Sequence, residues 1–409
     1  MSLAISQRSD YTFKGNVSLG RHGWLRLTPA HSVKLVDKIL SSSSLKATIL
    51  DPFSGTATTA LLAAQLGHRA YSFDINPFLV WFGNAKAQNY TEDELWDIQK
   101  KVGQVLKEYK SQLQEDHWTP PIFNIERWWS GSTLRILASL RTSLAQQFGE
   151  PEQNHTYSLV WISFCRLVIE TSSAAFNHVS MSFHESVMDY NAQDIEKLFL
   201  IILDFVLQSA QKYIPGHAKV LRVDSRHIVN SGHLTIDKVI TSPPYPNRMS
   251  YIRELRPYMY WTKFLQGAKQ AGELDWLAIG GTWGIATSRL KTWTMEPTDL
   301  PEAVLEVVQR IQMSEGKNSN ILAIYVLKYF QDMYSHLSSL RSVLKPGAEV
   351  HYIVGNSIFF NQRVDTAALL ADLMKILGYG EMTIEMVRKR NCNKALYEYC
   401  LSARWREDS

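Results

Sequence analysis

Cysteine is scarce in this sequence, with only Cys165, Cys392 and Cys400 in 409 residues. Three thiols so far apart exclude a disulfide framework and leave no Cys-x-x-Cys pair for a structural zinc site. A reducing cytosol is the expected compartment. Long apolar runs are also missing: nothing approaches the roughly 20 residues of a membrane-spanning helix. Met1–Lys14 lacks the apolar stretch of a signal peptide, so a soluble, cytoplasmic chain is expected. Charge of one sign is not in excess, because 43 basic and 39 acidic residues leave +4, which permits a polyanionic partner without requiring one. There is no internal repeat and no low-complexity tract. Histidine, cysteine and acidic residues form no cluster with ligand spacing, so no metal is expected, and His178 and His184 read as structural or surface residues.

What is present is a hydrophobic content of 45%, enough for a buried core in two or three structural units. Ala47–Asp51 is a short apolar run that ends at a Pro/Ser/Gly turn, and a helical pattern follows over Thr58–Leu66. A second strand, Ala70–Phe73, ends at Asp74 and passes through Asn76-Pro77 into another helix. This βαβα order predicts an α/β fold with a doubly wound, mostly parallel sheet. Residues 91–217 change texture to long amphipathic helices and read as a helical insertion between two parts of one core, 1–90 and 218–409. Alternation resumes with strands at Ala218–Val223 and Asp237–Thr241, a long helix around Ile321–Leu344 and a strand at Glu349–Val354. A helix at Thr366–Leu377 and a β-hairpin then close the chain. The Gly- and Trp-containing stretch 266–320 has few regular periods and is a candidate second insertion.

Two segments carry chemistry. Asp51-Pro52-Phe53-Ser54-Gly55-Thr56-Ala57-Thr58-Thr59 places a small-residue turn before a helix N-terminus, where free N–H groups and the dipole favour an anionic or polar ligand. Asp74, at the end of the next strand, stands where a carboxylate in such a sheet accepts from two ribose hydroxyls. The second segment, Ser242-Pro243-Pro244-Tyr245, follows the strand Asp237–Thr241 at its C-terminal end. Two prolines stiffen that loop and remove two N–H donors, so Ser242 Oγ and the Pro243 carbonyl can act as acceptors facing one point. Taken alone, the loop reads equally as a rigid polar turn.

Together these strings resemble the DNA amino-methyltransferases, which transfer a methyl group from S-adenosyl-L-methionine (AdoMet) to cytosine N4 or adenine N6. The family's cofactor motif is Asp-Pro-Phe-x-Gly-x-Gly-Thr-Thr, and Ala57 stands here at its second glycine, where its methyl is expected to narrow the methionine pocket. The resemblance covers residues 20–90 and 218–403. It implies a Rossmann-like class I methyltransferase sheet and assigns Asp51, Phe53, Ser54, Gly55, Thr56, Asp74 and Asn76 to AdoMet. Asp224 resembles the acid or amide beside the cofactor's adenine amine and reads equally as a strand-end turn residue, while Thr28, in Leu27-Thr28-Pro29-Ala30, resembles the segment over the methionine end and reads equally as an N-cap with Pro29 at N1.

The same resemblance makes Ser242, Pro243, Pro244 and Tyr245 the catalytic loop. Its acceptors grip the two N–H bonds of a base amine so that the nitrogen lone pair points at the methyl sulfonium, while Tyr245 stacks on the base. A base in a duplex has first to be flipped out. Carbon-5 methylation is set aside, because it needs a cysteine nucleophile, usually in a Pro-Cys pair, and the chain has no such pair.

Ser-Pro-Pro-Tyr is the form of the motif most often found in cytosine-N4 enzymes. The first expectation is therefore a site-specific cytosine-N4 DNA methyltransferase, with a cognate restriction endonuclease as a further partner. Adenine N6 in DNA comes second, an RNA base amine third, and a catalytically silent nucleic-acid-binding protein of the same fold is the alternative from another class. After the motif, Arg248, Arg253 and Arg256 alternate with aromatics and read either as phosphate contacts or as the solvated face of an ordinary helix. Arg388-Lys389-Arg390 with Lys394 reads as a solvated hairpin turn. Target recognition is expected from 91–217, 266–320 or both.

Overall fold

The computed structural model describes residues 9–27, 31–41, 46–175, 182–229, 234–247, 250–281, 285–390 and 395–406. Seven strands form the central sheet: β1 (Thr48–Asp51), β2 (Arg69–Asp74), β3 (His217–Arg222), β4 (Ile236–Thr241), β5 (Leu344–Gly355), β6 (Tyr379–Lys389) and β7 (Tyr397–Trp405). Their spatial order is β6-β7-β5-β4-β1-β2-β3. Pairing is parallel from β3 through β5, and β7 lies antiparallel between β5 and β6. The order reverses between β1 and β4, so the sheet is doubly wound and Rossmann-like, with its switch point at those two strands.

Alternation along each strand explains why both faces are covered. Ile49, Ala70, Val220 and Ile240 pack against α1 (Val33–Leu40) and α2 (Thr58–Gln65). Their neighbours Leu50, Phe73 and Val239 point the other way, into a core shared with a 22-residue helix, α12 (Ser319–Leu340), and with α13 (Thr366–Ile376). Seven of the eight residues of α2 are buried, which explains its apolar Thr-Thr-Ala-Leu-Leu-Ala-Ala composition.

Between β2 and β3 the chain forms α3 (Pro77–Ala87), α4 (Glu92–Glu108), α5 (Gly131–Phe148), α6 (Ser158–Glu170) and α7 (Ala192–Ala210). Their starts are chemically marked. Asn76, Ser130 and Asn191 cap α3, α5 and α7, while Thr91 and Glu94 form a reciprocal capping box on α4. Leu137, Trp161, Phe164 and Phe199 join Phe78 of α3 in one core. That core also takes in Tyr258 and Trp261 of α8 (Tyr251–Trp261), the helix after the Ser242 loop, so the helical region buttresses the sheet edge where that loop lies.

Helix α6 stops at Glu170. There the Thr171 and Ser172 hydroxyls bond back to the Leu167 and Ile169 carbonyls, and Ala174–Ala175 pairs with Ser182–Phe183 instead. The weakly periodic stretch 266–320 contains α9 (Ala268–Leu277), α10 (Ile285–Leu290) and α11 (Glu302–Gln312), helices too short to give a long period. No helix among the described residues is long and apolar enough to cross a membrane.

Candidate active site

The C-terminal ends of β1, β2, β3 and β4 open into one cavity of about 830 Å³. Its wall includes Pro52–Thr56 after β1, Asp74–Asn76 after β2, Val223–Ser225 after β3 and Ser242–Tyr245 after β4. Ligands bind at this edge of a doubly wound sheet.

Gly55 holds a left-handed φ of 49° in the loop after β1 and sends its N–H to Asp74 Oδ2 at 3.0 Å. Asn76 N–H reaches Asp74 Oδ1 at 2.9 Å. Each carboxylate oxygen thus receives a backbone N–H while the carboxylate itself lines the cavity. Burial raises the Asp74 pKa to about 7, against the lowering effect of the Asn76, Gly55 and Ile75 backbone N–H groups. Phe53 faces the cavity with its ring set edge-on against His336 at 4.7 Å. His336 Nδ1 lies 3.0 Å from the Ser225 carbonyl, an acceptor only, so Nδ1 carries the proton and Nε2 accepts from Tyr352. Burial lowers the His336 pKa to about 4, and the ring is neutral.

Asp51 departs from its expected place at the ligand surface. It is fully buried behind the wall, accepting from Thr241 Oγ1 at 2.6 Å and from Phe53 N–H at 3.1 Å, and so ties β1 to β4. Ala57 departs as well. It holds φ 57° with 0% exposure, and its Cβ is directed at Gly83 of α3 rather than into the cavity, so it does not narrow the pocket. Asp224 lies on the wall, but both of its oxygens are gripped by Arg226, which also pairs with Asp332. Burial opposes ionisation of Asp224, yet Arg226 outweighs it and holds the pKa below the usual carboxylate value.

Thr28 lies outside the described residues, but Leu27 and His31 on either side of its segment both line the cavity. His31 and His336 carried no sequence signal, since long-range packing alone brings them to the site. Under the cofactor-side loop, Lys86 is fully buried, donates from Nζ to the Thr56 carbonyl at 2.6 Å and has its pKa lowered to about 7 by burial.

On the other side of the cavity, Ser242 Oγ donates to the Ile353 carbonyl at 3.0 Å. With its single proton committed, Oγ is an acceptor toward Tyr245 O–H at 3.2 Å and keeps one further lone pair. Burial drives the Tyr245 pKa well up, so the phenol remains protonated. The ring lies against Gly355, where any Cβ would come within 2.9 Å of it. Helix α8 presents Tyr251, Ile252 and Leu255 to the cavity, while Arg253 and Arg256 lie off the wall; Arg248 lies outside the described residues. The Arg388–Arg390 cluster is not the solvated turn expected of it: Arg388 and Arg390 both line the cavity, and Lys394 lies outside the described residues. Among the described residues no group of acidic, histidine or cysteine side chains could hold a metal ion.

The sequence matches the family model of the D12 class N6 adenine-specific DNA methyltransferases over residues 33–121. It is 21% identical to the Type II methyltransferase M.BsoBI of Geobacillus stearothermophilus, over 95% of this chain and 84% of that protein. Both findings support the DNA amino-methyltransferase family. AdoMet is accordingly the methyl donor of this methyltransferase. The cavity fits it: Asp74 presents an acceptor carboxylate on the wall for a diol, and the buried Ser54 hydroxyl has no protein partner.

Among solved structures, TrmN from Thermus thermophilus aligns over 97% of the methyltransferase and 53% of its own chain, at 11% identity and a TM-score of 0.30. The rRNA methyltransferase aviRa from Streptomyces viridochromogenes aligns over 97% and 94%, at 10% identity and a TM-score of 0.29. The methyltransferase thus spans about half the length of the first of these. At such scores the sheet order, not these neighbours, defines the fold.

Proposed function

We propose that this methyltransferase modifies the exocyclic N4 of cytosine at a specific DNA site, as in restriction–modification, acting on a base flipped out of the duplex. The observation that carries amine methylation is the state of Ser242, which lines the cavity with its proton committed to the Ile353 carbonyl and so meets an amine as an acceptor; its being serine is what favours cytosine. Bound, AdoMet supplies a methyl group on a positively charged sulfur. Asp74 accepts from the two ribose hydroxyls, with Gly55 and Asn76 orienting its oxygens. Phe53, Ser54, Thr56, Asn76 and Asp224 line the rest of the cofactor side, and Asp51 positions the loop from behind.

Ser242 Oγ and the Pro243 carbonyl accept from the two amine N–H bonds. An exocyclic amine is a poor nucleophile because its lone pair is delocalised into the ring, and two acceptors favour the pyramidal form whose lone pair is free. Tyr245 supplies the stacking surface, and Arg248, Arg253 and Arg256 contact DNA phosphates.

The serine form of the motif supports cytosine. Adenine N6 is the second reading, favoured by the adenine-specific family model, although the matched residues 33–121 cover the cofactor loop and the start of the helical region and not the Ser242 loop. Incubation with labelled AdoMet and unmethylated DNA, then digestion to nucleosides, should give N4-methylcytosine. N6-methyladenine would overturn the base assignment, and label confined to RNA would overturn DNA as the substrate. Ser242→Ala should lower turnover roughly 100-fold, the usual scale for losing one preorganised hydrogen bond at a reacting centre, with AdoMet affinity near normal.

A further inference from the structure

An acceptor pair for the amine does not by itself select a base, since cytosine and adenine both present an exocyclic NH2. Selection falls to whatever meets the ring atoms beside the amine. In cytosine these are two adjacent acceptors, N3 and O2. In adenine they are one acceptor, N1, followed by a C–H. A pocket that prefers cytosine therefore needs two parallel donors next to the amine site.

The β6–β7 hairpin brings such a group to the catalytic loop. Arg390 closes β6 by donating its backbone N–H to the Leu396 carbonyl at 2.8 Å, and its guanidinium lies over the Tyr245 ring, 5.7 Å from the centroid. Asn356, fully buried at the end of β5, fixes this geometry. Its Oδ1 accepts from Tyr397 N–H at 2.7 Å, its N–H donates to the Tyr397 carbonyl at 3.2 Å, and its carbonyl receives Arg390 Nη1 at a long 3.4 Å. The neighbouring Arg388 is spent on Glu398 in a two-point pair at 2.6 and 2.7 Å. That pair neutralises the local carboxylate, so Glu398 does not compete for Arg390. Arg390 thus occupies the stacking face in the free protein, with a planar fork of donors loosely held.

We infer that Arg390 determines base specificity: its guanidinium gives way on Tyr245 to the flipped base and donates through its fork to cytosine N3 and O2, a pair adenine lacks. The inference rests on the cytosine-N4 reading of the preceding section. A planar bidentate cation is the side chain suited to two coplanar acceptors, which lysine cannot match. A site built to hydrogen-bond one substrate disfavours an analogue that leaves its buried donors unpaired.

The test compares wild type, Arg390→Ala and Arg390→Lys on unmethylated DNA with labelled AdoMet. Methylated positions are then mapped by sequencing, and duplexes are made with 3-deazacytosine, which lacks the N3 acceptor, at the target. Arg390→Ala should lose about 100-fold in kcat/KM for DNA, and Arg390→Lys about 10-fold, the scale of charge-assisted hydrogen bonds. Calorimetric AdoMet affinity and melting temperature should stay at wild-type values. Wild type should lose a similar factor on 3-deazacytosine, whereas Arg390→Ala should lose little more there.

Turnover of Arg390→Ala within about threefold of wild type would overturn the inference. So would a full additional loss of Arg390→Ala on 3-deazacytosine, because Arg390 would then act on structure and not on the base. If wild type itself yields N6-methyladenine, the cytosine reading fails and the inference falls with it. That outcome appears in the wild-type arm alone, so the two failures are told apart.

Discussion

Asp74 is a carboxylate with a pKa of about 7 in a cavity wall, held there by burial against the backbone N–H groups of Asn76, Gly55 and Ile75. Hydroxyl donors from a ribose favour the charged form and lower that pKa on binding. The sign follows: below pH 7 the free protein holds a proton that the complex expels, so AdoMet affinity should rise from pH 6 to 8 and then level off. Calorimetry at pH 6.5 in buffers of different ionisation enthalpy should show fractional proton release, and Asp74→Asn should abolish both the release and the pH dependence. Ala57 poses a question of magnitude. A left-handed alanine costs about 1–2 kcal/mol. Against this, its buried methyl contributes about 0.8 kcal/mol, and glycine would add about 0.4–1 kcal/mol of unfolded-chain entropy. Ala57→Gly should therefore change stability by less than about 1 kcal/mol in denaturant titration. AdoMet affinity should not change, because the methyl is directed at Gly83 and not at the cavity.

At the scale of elements, the caps separate scaffold from site. Thr91→Ala breaks the capping box of α4 and should cost about 1 kcal/mol in denaturant titration while leaving methylation rates intact, since Thr91 and Glu94 do not line the cavity. The strands of the sheet were legible because each is a short apolar run ending in a turn signal. Asp74 was legible because a strand end fixes where its carboxylate can point. What local pattern could not convey was orientation. The Arg388–Arg390 cluster reads as a solvated turn in one dimension, yet β7 inserts between β5 and β6 and carries the hairpin end onto the Ser242 loop. Asp51 likewise reads as a ligand contact, but its Oδ1 accepts from both Thr241 and Phe53 behind the wall, because β4 lies directly beside β1. His336 arrives from α12, far along the chain, by packing alone.

Over the whole molecule, buried ionisable groups couple the cofactor loop to global stability. Lys86 lies fully buried between α3 and the Thr56 carbonyl, with its pKa lowered from 10.5 to about 7 by burial. Its folded pKa lies below the unfolded one, so between pH 7 and 10.5 the unfolded chain binds a proton that the native protein does not. Stability from this group is fully present above the unfolded pKa and is lost as pH falls toward 7. Buried His22 and His336, whose pKa values are lowered to about 3 and about 4, are neutral in both states above pH 7.5 and contribute no slope there. Buried Cys165 and Cys400, with their pKa values raised by burial, oppose the trend as the unfolded thiols begin to ionise toward about pH 8.5, and so reduce the climb at its upper end. The unfolding free energy should therefore climb from pH 7.5 to 8.5, at most about 1.4 kcal/mol per unit. Lys86→Met, which keeps the stem and removes the titrating amine, should flatten that climb in denaturant titrations at the two pH values. An equal slope in the variant would mean that Lys86 is charged in the native protein, and that the Thr56 carbonyl binds an ammonium beneath the cofactor loop.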